Sequence, residues 1–190
     1  MSNKKFDPQK LKKLNNPQRL MDIPPDYVQN KLNMGESETI VEIGAGTAFF
    51  STAFHEQLRP VTTYACDISD IMVAWIKENV TPKNPKIIAV KNNENSVPLD
   101  SGIADLVFMI ALHHELDSPT MILDESYRLL KPGGKIFIVD WKKEDMLQGP
   151  PLSIRCLPEQ IKDQLLKSQF NNVNIHTDLP KHFLIVGDKE

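Results

Sequence analysis

The chain has 190 residues, of which 41% are apolar and 25% charged, a composition that fits one globular domain over 1–190 and excludes a disordered or collagen-like chain. Its 22 basic and 25 acidic side chains leave a net charge of −3, so no broad positive field is available to hold a phosphate backbone and nucleic acid is not expected as a partner. No apolar run is long enough to span a membrane or to open a secretory signal, and the two cysteines, Cys66 and Cys156, make neither a disulfide framework nor a four-thiolate zinc site; a reduced, cytoplasmic protein is expected.

Residues 1–38 read as N-terminal helices, with Asp7-Pro8 and Pro24-Pro25 as helix starts, because proline suits a first helical turn. Lys4, Lys5, Lys10, Lys12 and Lys13 read as a solvated face. From residue 39 onward β-rich runs alternate with segments of helical periodicity, the pattern of crossover units in a mainly parallel sheet. Strands are expected at Thr39 to Ile43, Thr62 to Cys66, Lys86 to Val90, Ala104 to Ile110 and Lys135 to Asp140. Most are near-continuous apolar runs, as strands covered on both faces require. Three helical faces lie between them: Phe50, Ala53, Phe54 and Leu58; Met72, Trp75 and Ile76; and Ile122, Leu123, Ser126, Leu129 and Leu130. The third is expected to end in Lys131-Pro132-Gly133-Gly134, where proline stops a helix and glycine accepts positive φ. After an irregular stretch come a helix from about Glu159 to Gln169 and strands at Val173 to His176 and His182 to Val186. Residues 177–181 are too few for a parallel crossover, so these last two strands should form an antiparallel hairpin at the sheet edge. The fold class is therefore doubly wound α/β.

The first strand runs into Val41-Glu42-Ile43-Gly44-Ala45-Gly46-Thr47-Ala48-Phe49. Gly44 and Gly46 remove Cβ from a strand-to-helix turn, where backbone can approach a ligand and a helix N-terminus offers free N–H groups. Asp67, 23 residues beyond Gly44 at the end of the second strand, is placed to accept ribose hydroxyls. Together they point to an adenosine-containing ligand. Phe49 stands where a dinucleotide fingerprint has its third glycine, and no Gly-Lys-Ser/Thr follows, so NAD and nucleotide hydrolysis are disfavoured.

On these residues the chain resembles the class I S-adenosylmethionine-dependent methyltransferases, in particular the small type 11 group related to quinone-biosynthesis enzymes. Glu42 to Ala48 is similar to that family's acidic-x-Gly-x-Gly-x-Gly motif, with Ala48 in place of the third glycine. The resemblance implies a seven-stranded Rossmann-like sheet, mainly parallel with an antiparallel last strand, in the order 3-2-1-4-5-7-6. It also implies a cofactor, S-adenosylmethionine, held by Glu42, Gly44, Ala45 and Gly46 at its methionine end, by Asp67 at the ribose, and beside adenine by Ile68, Asn93 and Glu94. Asn92 and Glu94 depart from the commonest Gly and Ala of the segment that borders adenine. Ala111, at the end of the fourth strand, belongs to the same lining.

Ligands sit beyond the carboxyl ends of parallel strands, and the fourth strand ends in Ala111-Leu112-His113-His114-Glu115. A neutral imidazole there can take a proton from an acceptor, which makes His114 the first candidate base and His113 the second. Adjacent side chains do not converge on one ion, so no metal is expected. Tyr27, Trp141 and Lys142, with Lys143, are candidate substrate contacts, and an inward lysine would suit an anionic acceptor. The function expected is in-line methyl transfer to a small molecule. The alternatives are a noncatalytic adenosine-binding module and a nicotinamide-dependent oxidoreductase. Oligomeric state is not legible.

Overall fold

The computed structural model describes residues 11–190; the expected helix start at Asp7-Pro8 and the lysines up to Lys10 lie outside them. Seven strands form one sheet in the order β3-β2-β1-β4-β5-β7-β6. Its parallel part comprises β1 (Thr39–Ile43), β2 (Thr62–Asp67), β3 (Ile87–Lys91), β4 (Ala104–Ile110) and β5 (Leu130–Trp141). Strand β7 (His182–Asp188) runs antiparallel to β5, and β6 (Asn171–His176) closes the edge against β7. The short 177–181 connection leaves the chain no other geometry.

Helices α1 (Leu11–Leu14), α2 (Gln18–Asp22) and α3 (Pro25–Leu32) precede the sheet. Pro25 opens α3 as expected, because its missing N–H is one that a first turn leaves unpaired anyway. The crossovers are α4 (Phe49–Leu58), α5 (Asp70–Asn79) and α6 (Pro119–Leu129), and α7 (Pro158–Lys167) leads into β6. One core layer joins Val28 and Leu32 of α3 and Phe50 and Phe54 of α4 to Ile40, Phe108 and Phe137 of the sheet. Within it the rings of Phe54, Phe108 and Phe137 lie 4.8–5.2 Å apart, each pair adding about 1 kcal/mol beyond burial. The opposite layer sets Ile122, Leu123 and Leu129 of α6 and Ile161 and Leu165 of α7 against Val41, Val107 and Ile138. Both faces are covered, as the continuous apolar strands required.

One boundary moves. Leu130, counted above with the α6 face, is the first residue of β5, and Lys131 to Gly134 continue the strand instead of ending the helix. Leu130 pairs with Ala104, and the Lys131 ammonium reaches the Asp105 carboxylate at 2.8 Å, so the helix stops ahead of Pro132 as expected while pairing with β4 draws 130–134 into the strand. Among the described residues no helix is long and apolar enough to cross a membrane.

Candidate active site

Every candidate group lies at the edge where the parallel strands end. The glycine turn after β1 is tied to the end of β2 by three backbone donors. Gly44 N–H and Ala45 N–H both donate to the Cys66 carbonyl, at 2.8 and 2.9 Å, and Gly46 N–H donates to Asp67 Oδ2 at 2.7 Å. Gly44 and Gly46 have φ of +75° and +56°, a region costly for a residue with Cβ. A Cβ on Gly44 would lie 2.7 Å from the Leu112 side chain, and one on Gly46 would lie 3.1 Å from Leu14 of α1. At both positions the missing Cβ leaves room for a side chain that packs on the turn, Leu112 at Gly44 and Leu14 at Gly46, so either glycine's replacement would push that neighbour away.

Asp67 is buried and accepts a second bond at Oδ1, from Ser69 N–H at 2.8 Å. Burial raises its pKa; the Ser69 and Gly46 bonds and the nearby Lys91 cation only partly oppose this. Two donors leave a carboxylate with acceptor sites to spare, which suits a ribose diol. At the end of β3, Asn92 N–H binds the Asp67 carbonyl and the Asn92 side chain is buried with Oδ1 lacking a partner. A buried amide oxygen of this kind calls for an N–H donor, and adenine's exocyclic amine is one. Asn93 and Glu94 are exposed, as is Ile68, whose apolar side chain is available to a base.

Glu42 is enclosed on the α4 side of the sheet. Ser51 donates to its Oε2, and Arg19 of α2, itself stacked 4.6 Å over the Phe50 ring, supplies the nearest opposing charge. Burial outweighs both and pushes the Glu42 carboxyl up to about 8. The N-terminal helices meet this turn directly: Asn15 Oδ1 accepts from the Thr47 hydroxyl at 3.0 Å, and Arg19 donates to the Leu14 carbonyl at 2.6 Å. Cys66 is fully buried with its thiol pushed up by burial, and it serves the core.

At the end of β4, Ala111 takes φ +53° and its N–H binds the Val139 carbonyl at 2.8 Å, which turns the chain into a 3-10 turn at His113–Glu115. The two histidines then part company. His114 Nδ1 lies 2.7 Å from Asp140 Oδ1 at the end of β5, and burial, which lowers its pKa, is outweighed by that hydrogen bond and charge, so the net shift is upward. His113 is buried beside Gln164 of α7; neither of its ring nitrogens nor the Gln164 amide oxygen has a partner of hydrogen-bonding geometry, and burial lowers its pKa.

The substrate candidates are spread over both faces. The Trp141 ring packs against His182 with centroids 4.3 Å apart and planes tilted by 50°, and burial pushes that imidazole down to about 4. The Tyr27 hydroxyl donates to Asp178 at 3.0 Å, and burial followed by that bond pushes it up to about 12. Lys142 and Lys143 line a cavity of about 370 Å³ with Leu157, Pro158, Thr177 and Phe183. Arg155 is missing from the expectations: buried in the 142–157 loop, it donates to the carbonyls of Lys142, Glu144, Gln148 and Pro150 at 2.8–3.1 Å. Asp140, Asn92 and Arg19 were also unforeseen. Only Asp140 carried a signal, a carboxylate ending an apolar strand just as Asp67 does.

The profile of the methyltransferase domain family matches residues 41–138, just over half of the chain. The chain belongs to that family. It is a methyltransferase dependent on S-adenosylmethionine, on a fold shared with solved enzymes of this type. A crystal structure of a SAM-dependent methyltransferase from Aquifex aeolicus is 28% identical, superposes with a TM-score of 0.90 and is covered end to end by 98% of this chain. A putative type 11 methyltransferase from Sulfolobus solfataricus is 25% identical, with a TM-score of 0.68 over 93% of this chain and 94% of its own. Among curated proteins, the uncharacterized methyltransferase YdaC of Bacillus subtilis is 25% identical over 77% of this chain and 78% of its own length. Others are larger: the chain covers 38% of a malonyl-[acyl-carrier protein] O-methyltransferase from Marinomonas and 37% of a tRNA N(3)-cytidine methyltransferase from Xenopus tropicalis.

Proposed function

We propose that this methyltransferase acts on a small molecule, with the cofactor laid across the ends of β1 to β4 and the acceptor brought in beside His114. The observation that carries the reading is the alignment of three elements on one sheet edge: the Gly44–Gly46 turn bonded to Asp67, the unpartnered Asn92 oxygen, and the His114 imidazole. In this reading Gly44, Ala45 and Gly46 lie against the methionine part, Glu42 and Arg19 fix its ionic groups, Asp67 takes the ribose hydroxyls, and Asn92 with Ile68 borders adenine. When bound, S-adenosylmethionine supplies a methyl group on a sulfonium, and the chain's own task is to align the acceptor and exclude water. Arg155 serves this by holding the 142–150 loop as a formed wall. A small acceptor is favoured by the net charge of −3, which offers no broad positive field to a polyanion. The type 11 resemblance puts phenols and quinols among the first compounds to try.

Calorimetric titration with S-adenosylmethionine and S-adenosylhomocysteine tests the pocket, and transfer of labelled methyl groups to metabolite extracts tests the acceptor. Binding of both ligands with label in a low-mass product is expected. Label appearing only in transfer RNA or protein would end the small-molecule reading.

A further inference from the structure

We propose that Asp140 is a positioning residue that fixes His114 with its proton on Nδ1 and its lone pair on Nε2, and that the methyl acceptor is accordingly a neutral hydroxyl or N–H group that gives its proton to Nε2. The inference rests on the reading of this edge as the transfer site and adds to it the class of acceptor.

Asp140, the last residue but one of β5, has 1% of its surface exposed, and its three hydrogen bonds converge on His114 and Trp141. Oδ1 receives the His114 ring at 2.7 Å and Trp141 N–H at 2.7 Å, and Oδ2 receives His114 N–H at 3.0 Å. An ionised carboxylate only accepts, so the neutral ring must carry its proton on Nδ1. Because Asp140 grips both the backbone and the ring of His114, the imidazole can neither rotate nor change tautomer without breaking the pair. The geometry is that of a base with an orienting carboxylate behind it. The positive φ of Ala111 is what brings the chain back to Asp140, so the pair is built into the turn that leaves β4.

The other groups facing His114 are accounted for. Glu115 Oε1 lies 3.8 Å from Nε2 on the same 3-10 turn, the Arg155 cation opposes from the 142–157 loop, and His113 adjoins in neutral form. A thiolate or a preformed anion has no proton to give, and a site built for one needs no buried carboxylate behind its histidine. In the step proposed, a lone pair on the acceptor oxygen or nitrogen forms the bond to the methyl carbon, and the proton that this makes acidic passes to Nε2. The methyl–sulfur bond breaks with its electrons left on sulfur, and the imidazolium afterwards returns the proton to water, so charge and atoms balance.

Long-range proton–nitrogen correlation spectra of histidine-labelled protein test the tautomer directly, without a substrate. The neutral His114 ring should show Nδ1 protonated, with a titration midpoint above the ordinary histidine value; a proton on Nε2 overturns the proposal. Asp140→Asn should move that midpoint down and cut turnover at neutral pH about 10-fold or more, with S-adenosylmethionine affinity kept within about 2-fold. Turnover that falls with no change in the pH profile, or a true acceptor that is a thiol, also overturns it. If Asp140→Asn fails to fold, the spectrum of the unmodified protein still decides. Should the cofactor fail to bind while Nδ1 is protonated, it is the pocket reading that falls.

Discussion

Glu42 is a carboxyl wholly enclosed beside the glycine turn, and replacing it with glutamine exposes the cost of that enclosure as a pH dependence. Burial raises its pKa from 4.5 to about 8 against the opposing Ser51 bond and Arg19 charge. Between those two values the folded chain holds a proton that the unfolded chain has released. Stability contributed by Glu42 is therefore fully present below about 4.5, is lost as pH rises, and levels off above about 8. A shift of about 3.5 units at about 1.4 kcal/mol each sets a ceiling of about 5 kcal/mol, and relaxation of the site brings the expected value to about 2–3 kcal/mol. Glu42→Gln removes the titration while keeping an acceptor for Ser51. Urea unfolding of both proteins from pH 5 to 9 should show the variant gaining on the wild type by about 2–3 kcal/mol across the window, with most of the gain below pH 8. A difference that stays constant over that range would refute the reasoning, since it means that Glu42 ionises at an ordinary pKa. The same coupling predicts that S-adenosylmethionine, whose methionine ammonium favours the carboxylate, displaces a proton at pH 7. Calorimetry in buffers of different ionisation enthalpy reads that proton.

Gly44→Ala forces a Cβ into a φ of +75° and against Leu112 at 2.7 Å, so it should destabilise by about 1–2 kcal/mol and weaken cofactor binding at least 10-fold, checked by thermal unfolding and titration. Asp67→Asn weakens the acceptor for Gly46 and Ser69 together with the proposed ribose contact; cofactor affinity should fall about 10- to 100-fold, and an unchanged Kd removes Asp67 from the site. Arg155→Met takes the shared donor from four loop carbonyls and should cost about 1–3 kcal/mol, with hydrogen exchange rising specifically over 142–150.

The order of elements and the position of the cofactor edge were open to reading because they depend on local signals. Apolar runs of strand length bounded by turn residues set β1 and β4 to their observed ends, and the five residues after β6 required a hairpin. The same holds for Gly44, Gly46 and Asp67, since a turn that needs positive φ and a carboxylate ending a strand are properties of a few consecutive residues. Where local and tertiary preferences disagreed, pairing won, as when Leu130 to Gly134 joined β5 in spite of a proline and two glycines.

What the chain alone did not disclose is which distant groups face one another. His113 and His114 are neighbours in sequence, ranked second and first as candidate bases, and only the packing of β5 beside the turn after β4 gives Asp140 to His114 and leaves His113 beside α7. Arg19 and Arg155 carry no signal in the sequence; the fold brings Arg19, half-buried, near Glu42 and buries Arg155 among the carbonyls of a loop. The local sequence determined elements and turns because each residue's backbone preference acts on its own neighbours. The pairing of charges was decided by the tertiary structure, because desolvation and electrostatic contact depend on separations in space that chain distance does not encode.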